Sequence, residues 1–96
     1  MSEMVPRNAT IVAKTEEISG VTTLSLRLDE DALFSFKFGQ FNMLSVFGVG
    51  EVAISIMGWK DGNLQHTIRS VGRVTHVLTA LKPGQQIGIR GPFGKG

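Results

Sequence analysis

Residues 64–84 read LQHTIRSVGRVTHVLTALKPG, and the hydrophobic period changes part-way along them. From Leu64 to Val71 the residues favour extended backbone, with Thr67, Ile68 and Val71 supplying β-branched side chains, so this part predicts a strand. Beyond Gly72, the residues Val74, Val77, Leu78 and Leu81 recur at i, i+3, i+4 and i+7. That is the apolar stripe of one short amphipathic helix, which Pro83-Gly84 stops. The junction Val71-Gly72-Arg73-Val74-Thr75 therefore turns a strand directly into a helix. Gly72 lets the backbone approach a ligand with no Cβ in the way, and the N–H groups of Arg73, Val74 and Thr75 lack partners in the first helical turn. Together with the helix dipole, the Thr75 hydroxyl and the guanidinium groups of Arg69 and Arg73, this geometry suits a phosphate. The spacing alone fits an ordinary helix start with solvated arginines equally well.

Upstream of the junction the chain reads as strands and turns. Thr10 to Thr15 is β-rich, Ile18-Ser19-Gly20 breaks it, and Leu24, Leu26 and Leu28 then alternate with Thr23, Ser25 and Arg27, which turns the leucines inward. Asp29-Glu30-Asp31 reads as a solvated turn. Phe34, Phe36 and Phe38 alternate again and lead through Gly39-Gln40-Phe41 into an apolar stretch ending at Phe47. Clustered aromatics predict the main packing layer, or else an exposed platform for stacking bases. Gly48 to Glu51 is a turn, Val52 to Met57 a strand, and Lys60 to Asn63 the next turn. Downstream, Ile87 and Ile89 alternate with Gly88 and Arg90 before Gly91-Pro92-Phe93-Gly94. One late helix among adjacent antiparallel strands points to an all-β fold, a six-stranded antiparallel Greek-key barrel.

Composition narrows the classes of function. At 96 residues, 42% hydrophobic and 19% charged, the chain is one ordinary globular domain. It has no cysteine, which excludes disulfides, thiolate metal ligands, iron–sulfur ligation and a cysteine nucleophile within these residues. His66 and His76 stand at no recognised metal-ligand spacing with nearby acids, so no metal site is expected. No residue reads as a general base or an activated nucleophile. The longest uncharged run, 13 residues from Phe38 to Gly50, is too short and polar to span a bilayer. The first fifteen residues lack the apolar segment of a secretory signal, so a cytoplasmic protein with no membrane partner is expected. Residues 1–48 carry four basic and six acidic groups, whereas residues 49–96 carry six basic and two acidic groups. Nine of the twelve glycines also lie in the second half, and a basic, glycine-rich half suits an anionic ligand held close to the backbone.

Several ordered motifs together resemble the flavin-binding domain of the ferredoxin-NADP reductase family. In that family a glycine, a spacer, a small residue and a Ser or Thr open the helix under the FAD pyrophosphate; Gly72, Arg73, Val74 and Thr75 hold those places. Leu81-Lys82-Pro83-Gly84 matches the family's sequence after the helix. Gly39-Gln40-Phe41 is similar to its Pro-Gly-Gln-Phe/Tyr segment without the proline, and Gly91-Pro92-Phe93-Gly94 to its barrel-closing Gly-Pro-x-Gly. The resemblance spans roughly residues 8 to 95 and implies FAD as the cofactor.

The family's Arg-x-Tyr-Ser/Thr motif falls on Val52, Ala53, Ile54 and Ser55, where only the serine is kept. The resemblance implies that Ser55 lies near flavin N5 and is the residue closest to the chemistry, that Ile54 packs on the isoalloxazine face, and that the backbone at 54 to 56 bonds its edge. It further implies that Thr67, Ile68 and Arg69 line the pyrimidine edge through their backbone, with Arg69 compensating for the charge missing at Val52. The Ile-Ser-Ile sequence is similar to the branch containing the electron-transfer subunit of dihydroorotate dehydrogenase and the flavin subunits of soluble hydrogenases and anaerobic sulfite reductases. Gly50-Glu51 most resembles the hydrogenase and sulfite-reductase group.

On this reading residues 1–96 are the FAD-binding barrel at the N-terminal end of a longer NAD(P)H-linked oxidoreductase or electron-transfer subunit. NAD(P)H would bind a following nucleotide-binding domain of the same parent chain, with other redox subunits as partners, so the 96 residues alone are expected not to turn over. The alternative is a flavin-free barrel that serves binding or subunit assembly. Nucleic acid is not expected as a partner, because Phe34, Phe36 and Phe38 have only Lys37 interleaved among them.

Overall fold

A computed structural model describes residues 6–29 and 35–95. Along the chain come β1 (Arg7–Ile18), β2 (Val21–Leu28), β3 (Phe41–Val46), β4 (Gly50–Lys60), β5 (Asn63–Arg69), α1 (Arg73–Ala80) and β6 (Gln86–Phe93). Every neighbouring pair is antiparallel, and the sheet closes in the order β1-β2-β5-β4-β3-β6. The fold is thus the six-stranded Greek-key barrel with one short helix that the alternation predicts. Closure follows from the period of two: Leu24 and Leu26 on β2, Leu44 on β3, Leu64 and Ile68 on β5 and Ile89 on β6 all turn inward and are fully buried. Each such side chain contributes about 1.5–3 kcal/mol through the apolar area it removes from water.

The tight turns fall where glycine can supply positive φ. Between β4 and β5, Asp61 at φ 54° and Gly62 at φ 81° form the two-residue hairpin turn whose twist matches the flanking strands. At the opposite end of the barrel α1 packs on β2, β3, β4 and β5. Its buried Leu78, with Val74 and Leu81 alongside, closes the core there, as the i, i+3, i+4, i+7 stripe requires.

The aromatic segment differs from expectation. Residues 35–38 form no strand, Phe34 lies outside the described residues, Phe36 is half-buried against the core, and Phe38 and Phe47 are exposed. The interior of a six-stranded barrel is already filled by leucine and isoleucine, so the packing layer is aliphatic. Phe41 and Phe93 instead pair outside it, with ring centroids 5.7 Å apart. This pair belongs to a clasp that fastens the last strand. The Gln40 side chain donates to the Gly94 carbonyl at 2.9 Å. Arg90 bonds Glu51 with both ends of its guanidinium group, at 2.7 and 2.8 Å, and lies over the Phe93 ring. The hydrogen bonds from Arg90 hold the Glu51 carboxyl below its usual pKa. Asp29, read as part of a solvated turn, accepts from Thr10 at 2.6 Å and from Gln86, tying β1 to β6; Glu30 and Asp31 lie outside the described residues.

Two polar side chains sit inside the barrel. Asn42 on β3 and His66 on β5 are fully buried, and the Asn42 amide lies 3.0 Å from His66 Nε2 across the intervening β4. In this arrangement the amide donates to Nε2, the ring proton sits on Nδ1, and Nδ1 and Asn42 Oδ1 find no partner among the described residues. Burial lowers the His66 pKa from 6.5 to about 4. The unfolded chain therefore binds a proton between those values that the folded chain refuses. Stability is complete above about pH 6.5 and falls as the pH drops toward 4, by a loss on the order of 3 kcal/mol. Urea unfolding at pH 7.5 and pH 4.5 should show this loss, and H66Q should remove most of the difference.

Candidate functional site

The barrel closes strand to strand, but β4 and β5 stay paired over only part of their length. The β4–β5 ladder runs from Lys60↔Asn63 to Ile56↔His66, with Met57 bulged out of it, and has no further rungs. Beyond that point β4 continues to pair only with β3, through Phe41↔Ser55 to Val46↔Gly50, while β5 pairs only with β2, through Thr23↔Thr67 and Val21↔Arg69. A gap thus opens between Ser55 and its upstream neighbours on one side and Thr67 to Arg69 on the other. The Ile56 N–H donates to the Gln40 carbonyl on the β3 side at 3.0 Å. By strand alternation the peptide groups of Ala53 and Ser55 then turn toward the gap, and those of Val52 and Ile54 away from it.

The side chains alternate in the same way. Ala53 and Ser55 are exposed on the outer face, whereas Ile54 belongs to the core and Val52 packs against it. This corrects the expectation for Ile54: at 9% exposure its side chain is barrel filling and cannot cover a ring outside. Across the gap, Thr67 and Arg69 face outward and Ile68 is buried. The Thr67 hydroxyl is engaged with that of Thr23 at 2.8 Å.

The gap leads to the start of α1, which follows β5 after the three residues Ser70, Val71 and Gly72, since β5 stops at Arg69 rather than Val71. His76 N–H, bonded to the Gly72 carbonyl at 2.8 Å, makes the first intrahelical bond, so the preceding N–H groups face out of the helix. Ser70, Val71, Gly72, Arg73 and His76 line an open depression of about 410 Å³ here. Among the described residues neither Arg69 nor Arg73 has an ion-pair partner. The Thr75 hydroxyl, however, is not presented to a ligand. It accepts from the N–H groups of Val71 at 3.0 Å and Gly72 at 2.9 Å and donates to the Gly72 carbonyl at 3.1 Å, buried beneath the turn. Its capacity is spent shaping the loop, which corrects the expectation that it adds to phosphate binding.

Gly72 is the most informative residue of the site. Its φ of −152° and ψ of −176° are extended values open to any residue, and a Cβ built on it would meet nothing within 4 Å. Neither strain nor packing within the protein calls for glycine there. What glycine does provide is an open face on the depression that Gly72 lines, so that a ligand can touch the backbone.

The structure therefore brings together Ala53, Ser55, Thr67, Arg69, Gly72 and Arg73 along one surface, with Val74 anchoring the helix beneath them. Val52, Ile54, Ile68 and Thr75 serve the same region from inside. Sequence reasoning did not assign His76 to the site; the signal for it was its spacing, three residues after Arg73 and hence on the same helix face. Among the described residues no cluster of metal-ligating side chains occurs, and no helix is long and apolar enough to cross a membrane.

Residues 8–96 match the sequence profile of the oxidoreductase FAD-binding domain family. The chain belongs to that family. It is 48% identical over 65 residues to the sulfhydrogenase 1 gamma subunit of Pyrococcus furiosus, a match covering 66% of this chain and 22% of the relative. It is 35% identical over 95 residues to a probable dihydroorotate dehydrogenase B (NAD(+)) electron transfer subunit of Methanopyrus kandleri, covering 99% of this chain and 36% of that one. The chain thus spans little more than a third of these relatives at most. Its fold matches the ferredoxin reductase of carbazole 1,9a-dioxygenase with a TM-score of 0.79 at 25% identity, over 94% of this chain and 29% of the reductase. Members of this family are FAD-binding domains of oxidoreductases, and FAD is the cofactor of this chain.

Gly72→Ala separates the two roles a glycine can have. The melting temperature should be unchanged or slightly raised, since φ and space both admit alanine, while FAD affinity falls about tenfold or more; a thermal melt and a FAD titration on the same sample check both.

Proposed function

We propose that this chain is the flavin barrel of an NAD(P)H-linked electron-transfer protein, and that it holds FAD along the β4–β5 gap with the pyrophosphate at the start of α1. The observation that carries the reading is Gly72, a glycine that the fold itself does not require and that lines the depression together with Arg73, which has no ion-pair partner among the described residues. The residues fit the group. The outward N–H groups at Arg73 and Val74, with the guanidinium groups of Arg69 and Arg73, match a dianionic pyrophosphate. Arg69 takes over the charge that Val52 lacks, because Val52 points into the barrel and Arg69 does not. The turned-out peptide groups of Ala53 and Ser55, and the backbone of Thr67 to Arg69, suit the polar edge of a flavin, and a bound flavin supplies hydride and single-electron chemistry.

The protein's own part is orientation and electrostatics. Ser55 is the hydroxyl beside the gap on the outer face of β4, and it donates a hydrogen bond to the cofactor's edge where negative charge develops. The bulge at Met57 fixes the point at which β4 leaves β5, and with it the width available. The 96 residues are one domain of a longer protein, whose nicotinamide site lies in a following nucleotide-binding domain and whose other partners are redox subunits. Support for this comes from relatives named as subunits, of which this chain covers about a third or less.

FAD titration followed by flavin fluorescence tests the reading. Arg69→Ala and Arg73→Ala should each weaken binding by roughly tenfold or more, as expected for a lost charge-assisted contact, and binding should weaken with added salt. Unchanged affinity in both variants would sink the placement of the pyrophosphate. The FAD-loaded chain should show no oxidation of NADH or NADPH, and turnover would overturn the assignment of the nicotinamide site to another domain.

A further inference from the structure

The depression that Gly72 lines also carries a polar pair that neither the family motif nor the helix start accounts for. Ser70 Oγ lies 3.0 Å from His76 Nδ1, and both side chains line the depression with Gly72 and Arg73. Ser70 is itself fixed, because its N–H donates to the Gly20 carbonyl of the β1–β2 turn at 2.8 Å. With Nδ1 occupied, the ring's remaining polar atom is Nε2. When Ser70 donates to Nδ1, the proton of the neutral ring sits on Nε2, a donor on an exposed side chain at the depression; when Nδ1 donates to Ser70 in the neutral ring, Nε2 accepts instead. A phosphate oxygen, which only accepts, selects the first arrangement. The Thr75 hydroxyl, by contrast, is fully used within the loop.

We propose that His76 is a further cofactor-binding residue, donating from Nε2 to a phosphate oxygen of the bound dinucleotide, with Ser70 as the positioning residue that sets the ring. The inference rests on the reading that the pyrophosphate occupies this depression. It adds a directed hydrogen bond to the contacts offered by Arg69 and Arg73.

The test is a FAD titration of the native chain, H76A, S70A and R73A at one pH, with a thermal melt of each. H76A should bind FAD roughly tenfold or more weakly, as for a lost hydrogen bond to a charged group, with its melting temperature unchanged. S70A should lose part of that affinity, and R73A should weaken binding independently. An H76A chain that binds FAD as tightly as the native one overturns the inference, and if R73A still weakens binding the phosphate site itself stands. Failure of the native chain to bind FAD overturns the reading of the depression, and the role of His76 with it.

Discussion

A closed sheet pairs its strands on both sides, and in this barrel β4 and β5 part beyond Ile56↔His66. Backbone N–H and C=O groups that lose their ladder partners must find others. The separation therefore creates a strip of hydrogen-bonding backbone on an otherwise finished surface, already aligned by strands that are fixed on their far sides by β3 and β2. The helix follows from the same event. Once β5 leaves β4, the chain crosses the end of the barrel, and Leu78 fills the core beneath it. The strip of open backbone and the open helix start are two results of one break in a ladder.

Much of this was legible in the sequence because it depends on period. Alternation from Leu24 to Leu28, the stripe from Val74 to Leu81 and the Ile87–Ile89 pair each gave the right element, and the turns fell at glycine. The site was legible only as a set of positions. Motif matching put Val52 to Ser55 beside the ligand as a block, yet a strand shows alternate residues to alternate faces, so Ala53 and Ser55 look outward while Val52 and Ile54 fill the barrel. Thr75 illustrates the same limit. A hydroxyl at the third helical position can serve the loop or a ligand, and only the geometry of Val71 and Gly72 decides for the loop.

The aromatic residues were misread for a different reason. Composition shows that phenylalanines cluster but not that the barrel's interior volume is already taken. Phe41 and Phe93 find their use outside, where with Gln40, Arg90 and Glu51 they bind the end of β6 to β3 and β4. The Gly-Gln-Phe and Gly-Pro-Phe-Gly motifs, far apart in sequence, are thus two halves of one fastening.

Trp59 has a use that its modest packing does not suggest. It is the only tryptophan in a chain without tyrosine, half-exposed on β4, and four residues from Ser55 along the same strand. Four residues of extended chain span about 13 Å. If the flavin sits beside Ser55 as proposed, an indole at that distance is within range of resonance energy transfer, and the protein carries its own donor fluorophore. Quenching of a single, unambiguous emitter would report cofactor arrival and departure in real time, with no label attached.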